Sequence, residues 1–158
     1  MTSYPILFGV RDPVIGPGFL AGVAVNGRCL MREEPDGFWI DGVNPGAVCA
    51  GGASRDEALL KFRESYRGIL YDCAALCDTF EAFKQEVERF FWEMTPGEAE
   101  AWERAVQELR ANPAAAGDWL PIRQNYGEPS VEVVCLEQES LEPDSNAVGQ
   151  LELAAAAA

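Results

Sequence analysis

Histidine is absent from all 158 residues of this chain. Its absence removes the commonest general base, the usual pH switch and the commonest zinc ligand. Serine–histidine and cysteine–histidine catalysis are therefore excluded within the chain. Basic residues are scarce as well: 12 Lys and Arg stand against 26 Asp and Glu, a formal net charge of -14. Such a field repels nucleic-acid phosphates, so direct nucleic-acid binding is not expected and a basic protein partner fits better. Long apolar runs are missing too. No basic start followed by an apolar core opens the sequence, and no stretch reaches membrane-spanning length, so a cytoplasmic protein off the membrane is expected. The five cysteines, Cys29, Cys49, Cys73, Cys77 and Cys135, contain no CxxC pair. Cys73 and Cys77 stand four apart on an expected helix and share a face. Further ligands are not close to them in sequence, so reduced thiols, no metal and no cofactor are expected.

What is present is enough to build a core. The apolar fraction of 48% argues against global disorder. The length fits one domain. The expected fold is α+β: a small antiparallel sheet of three to five strands packed on a long helix. A two-helix insertion and a late C-terminal strand complete it. The boundaries are a single domain over 1–137, with strands and main helix in 19–77, a helical insertion in 78–112 and a returning strand in 131–137. A flexible tail follows over 138–158, ending in five alanines.

Residues 1–18 carry Pro5, Pro13 and Pro17 and read as an extended lead-in with an edge strand at Ile6 to Val10. Phe19 to Val25 reads as a strand. Asn26-Gly27 is the strongest short hairpin signal, because both positions tolerate positive φ. Arg28 to Glu33 is then the return strand. Glu34-Pro35-Asp36-Gly37 is a turn into Phe38 to Val43, and Ala47 to Ala50 is a further short strand. Ser54-Arg55-Asp56-Glu57 is a capping box. It opens a helix whose inward stripe is Leu59, Phe62, Tyr66, Ile69, Leu70 and Cys73. A second box at Asp78-Thr79-Phe80-Glu81 precedes the stripe Phe80, Phe83, Val87, Phe90, Phe91 and Met94. A third, Thr95-Pro96-Gly97-Glu98, places proline at the first helical position, with Trp102, Val106 and Leu109 inward. Asn112 to Pro129 is a loop anchored by Trp119, Leu120 and Ile122. Val131 to Leu136 is the late strand.

Two patterns invite chemistry. Asp36, Asp41, Asp56 and Glu57 lie near strand ends and a helix start, where a divalent-metal hydrolase would hold its ion on oxygen ligands. A turn accounts for Asp36, and the positive helix N-terminus accounts for Asp56 and Glu57. Gly51-Gly52-Ala53-Ser54 precedes a helix but lacks the lysine and spacing of a phosphate-binding loop. The remaining signal is aromatic. Phe80, Phe83, Phe90, Phe91 and Trp92 cannot all face one narrow stripe, and Trp92 falls off it. An outward Trp92 would anchor an interface; an inward one would pack near Trp102. A structural or homo-oligomeric role, built on an edge strand or an aromatic helix face, is the alternative.

The segment 36–58 resembles the HicB-like antitoxin family. The resemblance is carried by Gly37-Phe38-Trp39-Ile40, the turn Asn44-Pro45-Gly46, the strand Ala47-Val48-Cys49-Ala50-Gly51 and the capped start Ser54-Arg55-Asp56-Glu57-Ala58. It implies a partial ribonuclease-H-like fold, an incomplete sheet with helices on one side and no retained nuclease site. It also implies a non-catalytic role: covering the catalytic surface of a small basic ribonuclease toxin. Asp41, Asp56 and Glu57 would then offer acidic contacts, with Trp39 and Trp92 as apolar anchors. Family members commonly carry a C-terminal DNA-binding element; after Arg110 only Arg123 is basic here.

Overall fold

A long hairpin organises the molecule. Its strands are β1 (Ser3–Gly16) and β2 (Phe19–Glu34), paired antiparallel without a break from Ser3↔Arg32 to Gly16↔Phe19. Pro17 and Gly18 make the connection. Proline pre-sets the first turn position, and Gly18, at φ 78°, supplies the left-handed second one. The computed structural model describes residues 2–120 and 126–138; Ile122 and the expected tail beyond Gln138 lie outside them.

Alternation in β2 decides the architecture. Phe19, Ala21, Val23, Val25, Gly27, Cys29 and Met31 are all buried, while Leu20, Gly22, Ala24, Asn26, Arg28 and Arg32 are not. The first set lines the inner face of the sheet. From β1, Ile6, Phe8, Val10 and Val14 join it in the main core. This overturns the expected hairpin at Asn26-Gly27. A two-residue turn there would set Val25 opposite Arg28 on one face and carry Arg28 and Arg32 into the core with Leu30. Uninterrupted pairing instead keeps both arginines off the inner face. The lead-in is likewise a full strand, not a short edge piece, because β2 has one long edge to satisfy.

The other edge of β2 is shared. β3 (Gly37–Asn44) pairs with it from Arg28 to Glu34, and β5 (Ser130–Gln138) pairs with it from Phe19 to Asn26. The changeover falls at Asn26 to Arg28, where the β2–β3 register also shifts. Asn26 Nδ2 donates to Ser130 Oγ at 3.1 Å and fastens the start of β5. β4 (Cys49–Gly52) adds to β3, beginning two residues later than expected. Among the described residues the result is an α+β fold with a curled, five-stranded antiparallel sheet and three α-helices. Strands this long cannot lie flat, since right-handed twist accumulates along them.

Helix α1 (Arg55–Leu76) lies across the inner face and buries Ala58, Phe62, Tyr66, Leu70 and Ala74. Phe8 meets Phe62 and Tyr66 edge-on, with centroids 5.0 and 6.2 Å apart. The cap is as expected in kind: Ser54 Oγ accepts from Glu57 N–H at 3.1 Å. The glutamate reaches back to Ala53 N–H at 2.7 Å rather than to that of Ser54. Arg67 pins the helix to β1 through Asp12, at 2.7 Å. Helix α2 (Phe80–Trp92) packs on the same face, with Phe83, Val87 and Phe91 buried. Its cap is Thr79, not Asp78: the threonine hydroxyl accepts from Ala82 N–H. Met94 lies beyond its end.

The two helices of segment 78–112 part company after α2. Thr95-Pro96-Gly97-Glu98 forms a β-turn, with Glu98 N–H donating to Thr95 O and Gly97 at φ 88°. Proline therefore sits in the turn, not at the first helical position. The chain passes Gly46, whose N–H donates to Glu93 O at 3.2 Å, and crosses to the outer face. There α3 (Glu98–Ala111) packs Trp102, Ala105 and Val106 on Leu30 and Val43, forming a second, smaller core. Helices thus cover both sides of the sheet, unlike the one-sided arrangement that the family resemblance implies. The apolar outer-face positions Leu30 and Val43 supply the reason: they need a cover.

Two substitutions test this account. A Cβ at Gly27 would lie 2.3 Å from the buried Phe8 ring and 2.5 Å from Asn44 O. Gly27→Ala is expected to lower unfolding stability by about 1–3 kcal/mol in urea titrations. Ser54→Ala removes the α1 cap and should cost about 1 kcal/mol by the same measurement.

Candidate functional site

The residues singled out from sequence occupy three places. Trp39 and Asp41 lie on β3 with side chains on the outer face, the face that also carries Arg32, opposite Trp39. The Trp39 ring lies against β4: a Cβ at Gly51 would come within 2.8 Å of it, so glycine permits this close approach. Arg32 bonds Asp41 at 2.9 Å and Glu34 at 3.0 Å, so one cation is shared between two carboxylates beside Trp39. Asp56 and Glu57 stand at the α1 N-terminus, where the chain passes from β4 into the helix. Glu57 is engaged by Lys61 at 2.9 Å and by Ala53 N–H. The Lys61 hydrogen bond, then the Ala53 amide, hold its carboxyl below the usual range. Trp92 ends α2, half exposed and edge-on to Phe91 at 4.8 Å. It does not pack near Trp102, whose ring partner is Tyr126. The structure brings Trp39 and Asp41 together and leaves the other three residues elsewhere.

Sequence reasoning missed a groove between the second half of α1 and α2. It has a volume of about 480 Å³. Ile69, Leu70, Cys73 and Leu76 form one wall and Val87 and Phe90 the other, with Asp72, Glu86 and Arg89 at the rim. Leu76 is 86% exposed. The wide stripe on α1 was the available signal. One helix buries a single row against a sheet, and Phe62, Tyr66 and Leu70 fill that row; Ile69 and Cys73 lie beside it. Arg89 is clasped by Glu86 at 2.9 Å and Glu93 at 2.6 Å, so the rim stays acidic. Burial, then the neighbouring Cys77, push the Cys73 thiol up to about 11. At neutral pH it is a protonated apolar lining group, not a nucleophile. The groove offers an apolar floor and a negative rim, which suits an amphipathic basic segment.

A partly buried carboxylate begins α3. Glu98, the first residue of α3, has Oε2 buried with no hydrogen-bond partner. Burial and, secondarily, the Asp41 charge raise its pKa. Among the described residues, no three acidic or thiol side chains converge on a point that could hold a metal ion. No protein-family model matches this chain, and no curated protein or solved structure matches it either.

The raised Glu98 pKa has a definite sign. An acid that binds its proton more tightly when folded destabilises the fold at pH values above its folded pKa. That cost disappears as pH falls below the unfolded value of 4.5. Glu98→Gln should therefore be more stable than the parent near neutral pH, by less than about 1 kcal/mol because solvent screens a part-exposed group. Thermal melts across this pH range should show the difference fading towards acid.

Proposed function

We propose that this protein is a non-catalytic binding module whose partner is a small basic protein. The observation that carries this reading is the α1–α2 groove, an apolar trough with an acidic rim on a chain of net charge -14. A basic partner would be drawn in by the field and held by apolar burial. The more specific reading is a HicB-type antitoxin, acting in the cytoplasm on a small basic ribonuclease toxin. It is supported by the resemblance of segment 36–58. The strands β3 and β4 pair there, and a Ser54-capped helix follows, in the order the resemblance requires. Asp41 and Glu57 are already engaged by Arg32 and Lys61, at separate places in the fold. A metal-dependent hydrolase built on those acids is therefore not proposed.

A homo-oligomer is the second reading. The outer face of β1, β2 and β5 beyond the reach of α3 exposes Ile15, Val134 and Leu136, at 76%, 41% and 56%. Patches of that kind mark association surfaces.

Affinity capture at low and high salt tests the first reading, with Leu76→Glu and Trp92→Ala alongside the parent. Both side chains are exposed, so circular dichroism should show intact folds. The expected result is salt-sensitive capture of a small basic protein, lost at least tenfold in Leu76→Glu and little changed in Trp92→Ala. Equal capture by Leu76→Glu would remove the groove from the proposal. A tight homodimer in sedimentation, abolished by Leu136→Glu and with no basic partner retained, would favour the second reading.

A further inference from the structure

A second cavity, on the opposite side of the molecule from the α1–α2 groove, carries chemistry that the binding-module reading does not use. It opens on the outer face where β2 changes partners, has a volume of about 420 Å³, and is lined by Leu7, Phe8, Arg28, Tyr126, Glu128 and Pro129 among others. Two of its lining groups hold polar atoms that are buried without a hydrogen-bond partner among the described residues: Arg28 Nε and Tyr126 Oη. Buried donors are almost always satisfied, so two orphans on residues that share one cavity point to a missing acceptor.

The surroundings hold both groups in place. The Arg28 guanidinium lies over the Trp102 ring, 5.3 Å from its centroid, and Nη2 donates to Gly127 O. Trp102 in turn meets the Tyr126 ring edge-on at 5.7 Å, and Arg110 lies over the Tyr126 ring at 6.0 Å. Arg28 makes no ion pair among the described residues. The fork is thus oriented by its stacking and its carbonyl bond, with Nε–H left over among the described residues. A site built this way favours an acceptor carrying one negative charge.

We propose that this cavity binds a small monocarboxylic acid. Its carboxylate would accept from Arg28 Nε–H and Tyr126 O–H, and its apolar substituent would lie along Leu7 and Pro129. Glu128, on the same cavity, and the overall charge of -14 disfavour a phosphate dianion more strongly than a monoanion. One water could bridge the two donors, but its share of liquid volume is only about 30 Å³. It would leave the cavity largely unfilled. The volume falls within the range of small-molecule sites.

Tyr126→Phe is the informative variant, because the hydroxyl it deletes bonds nothing among the described residues. Its unliganded melting temperature should equal or exceed that of the parent. The full chain would be titrated calorimetrically with acetate, hexanoate and benzoate, with benzamide and inorganic phosphate as neutral and dianionic controls. Saturable binding of hexanoate or benzoate is expected, at least tenfold weaker in both Tyr126→Phe and Arg28→Met and absent for benzamide and phosphate. Failure of every carboxylate to bind, undiminished binding by Tyr126→Phe, or equal binding of benzamide would each overturn the proposal. Leu76→Glu, which alters only the distant groove, should leave carboxylate binding unchanged.

Discussion

The two edges of β2 govern this molecule. One is matched to β1 along fourteen residues; the other is divided between β3 and β5. Each buried amide on β2 needs a partner, and no single strand supplies the second edge. The changeover at Asn26 to Arg28 follows, and much else follows from it. Gly27 is there because Phe8 and the Asn44 carbonyl occupy the space a side chain would need. The β3–β4 turn stands beside the changeover, and the α2–α3 connection passes it on its way to the outer face. The cavity holding Arg28 and Tyr126 opens at the same place.

Burial on the inner face is dense and aromatic. Phe8, Phe62 and Tyr66 interlock edge-on, and Phe19 packs against Phe80 and Phe83. Each such side chain removed from water contributes about 1.5–3 kcal/mol, more than any surface ion pair on this protein can offer. The many acids therefore bear on association and not on holding the fold. Several are already matched by the few cations, at Arg32, Lys61, Arg67 and Arg89. The unmatched remainder gives the molecule its negative field.

Much of the local structure was legible in the chain. Ser54 and Glu57 announced the start of α1, and the apolar positions of three helices were read at close to their true spacing. The late strand was placed within two residues. The readings that failed were those in which a local signal competed with a distant one. Asn26-Gly27 has the composition of a hairpin turn, yet the odd-numbered run from Phe19 to Met31 keeps phase straight through it. Thr95-Pro96-Gly97-Glu98 looks like a cap and folds as a turn, because Gly97 adopts a left-handed conformation that ends one path and begins another.

Alternation, capping and charge are properties of near neighbours, so the sequence alone determined the class of fold, the start of α1, the lack of histidine chemistry and the acidic field. Which strand takes which edge, and which face each helix covers, are settled by segments far apart in the chain. Arg28 reaches Gly127 across 99 positions, and Tyr4 reaches Ala115 across 111. No local pattern encodes such a meeting. The outer-face cavity and the α1–α2 groove exist only because packing brought their walls together, and that is where tertiary structure decided what this protein offers to a ligand or a partner.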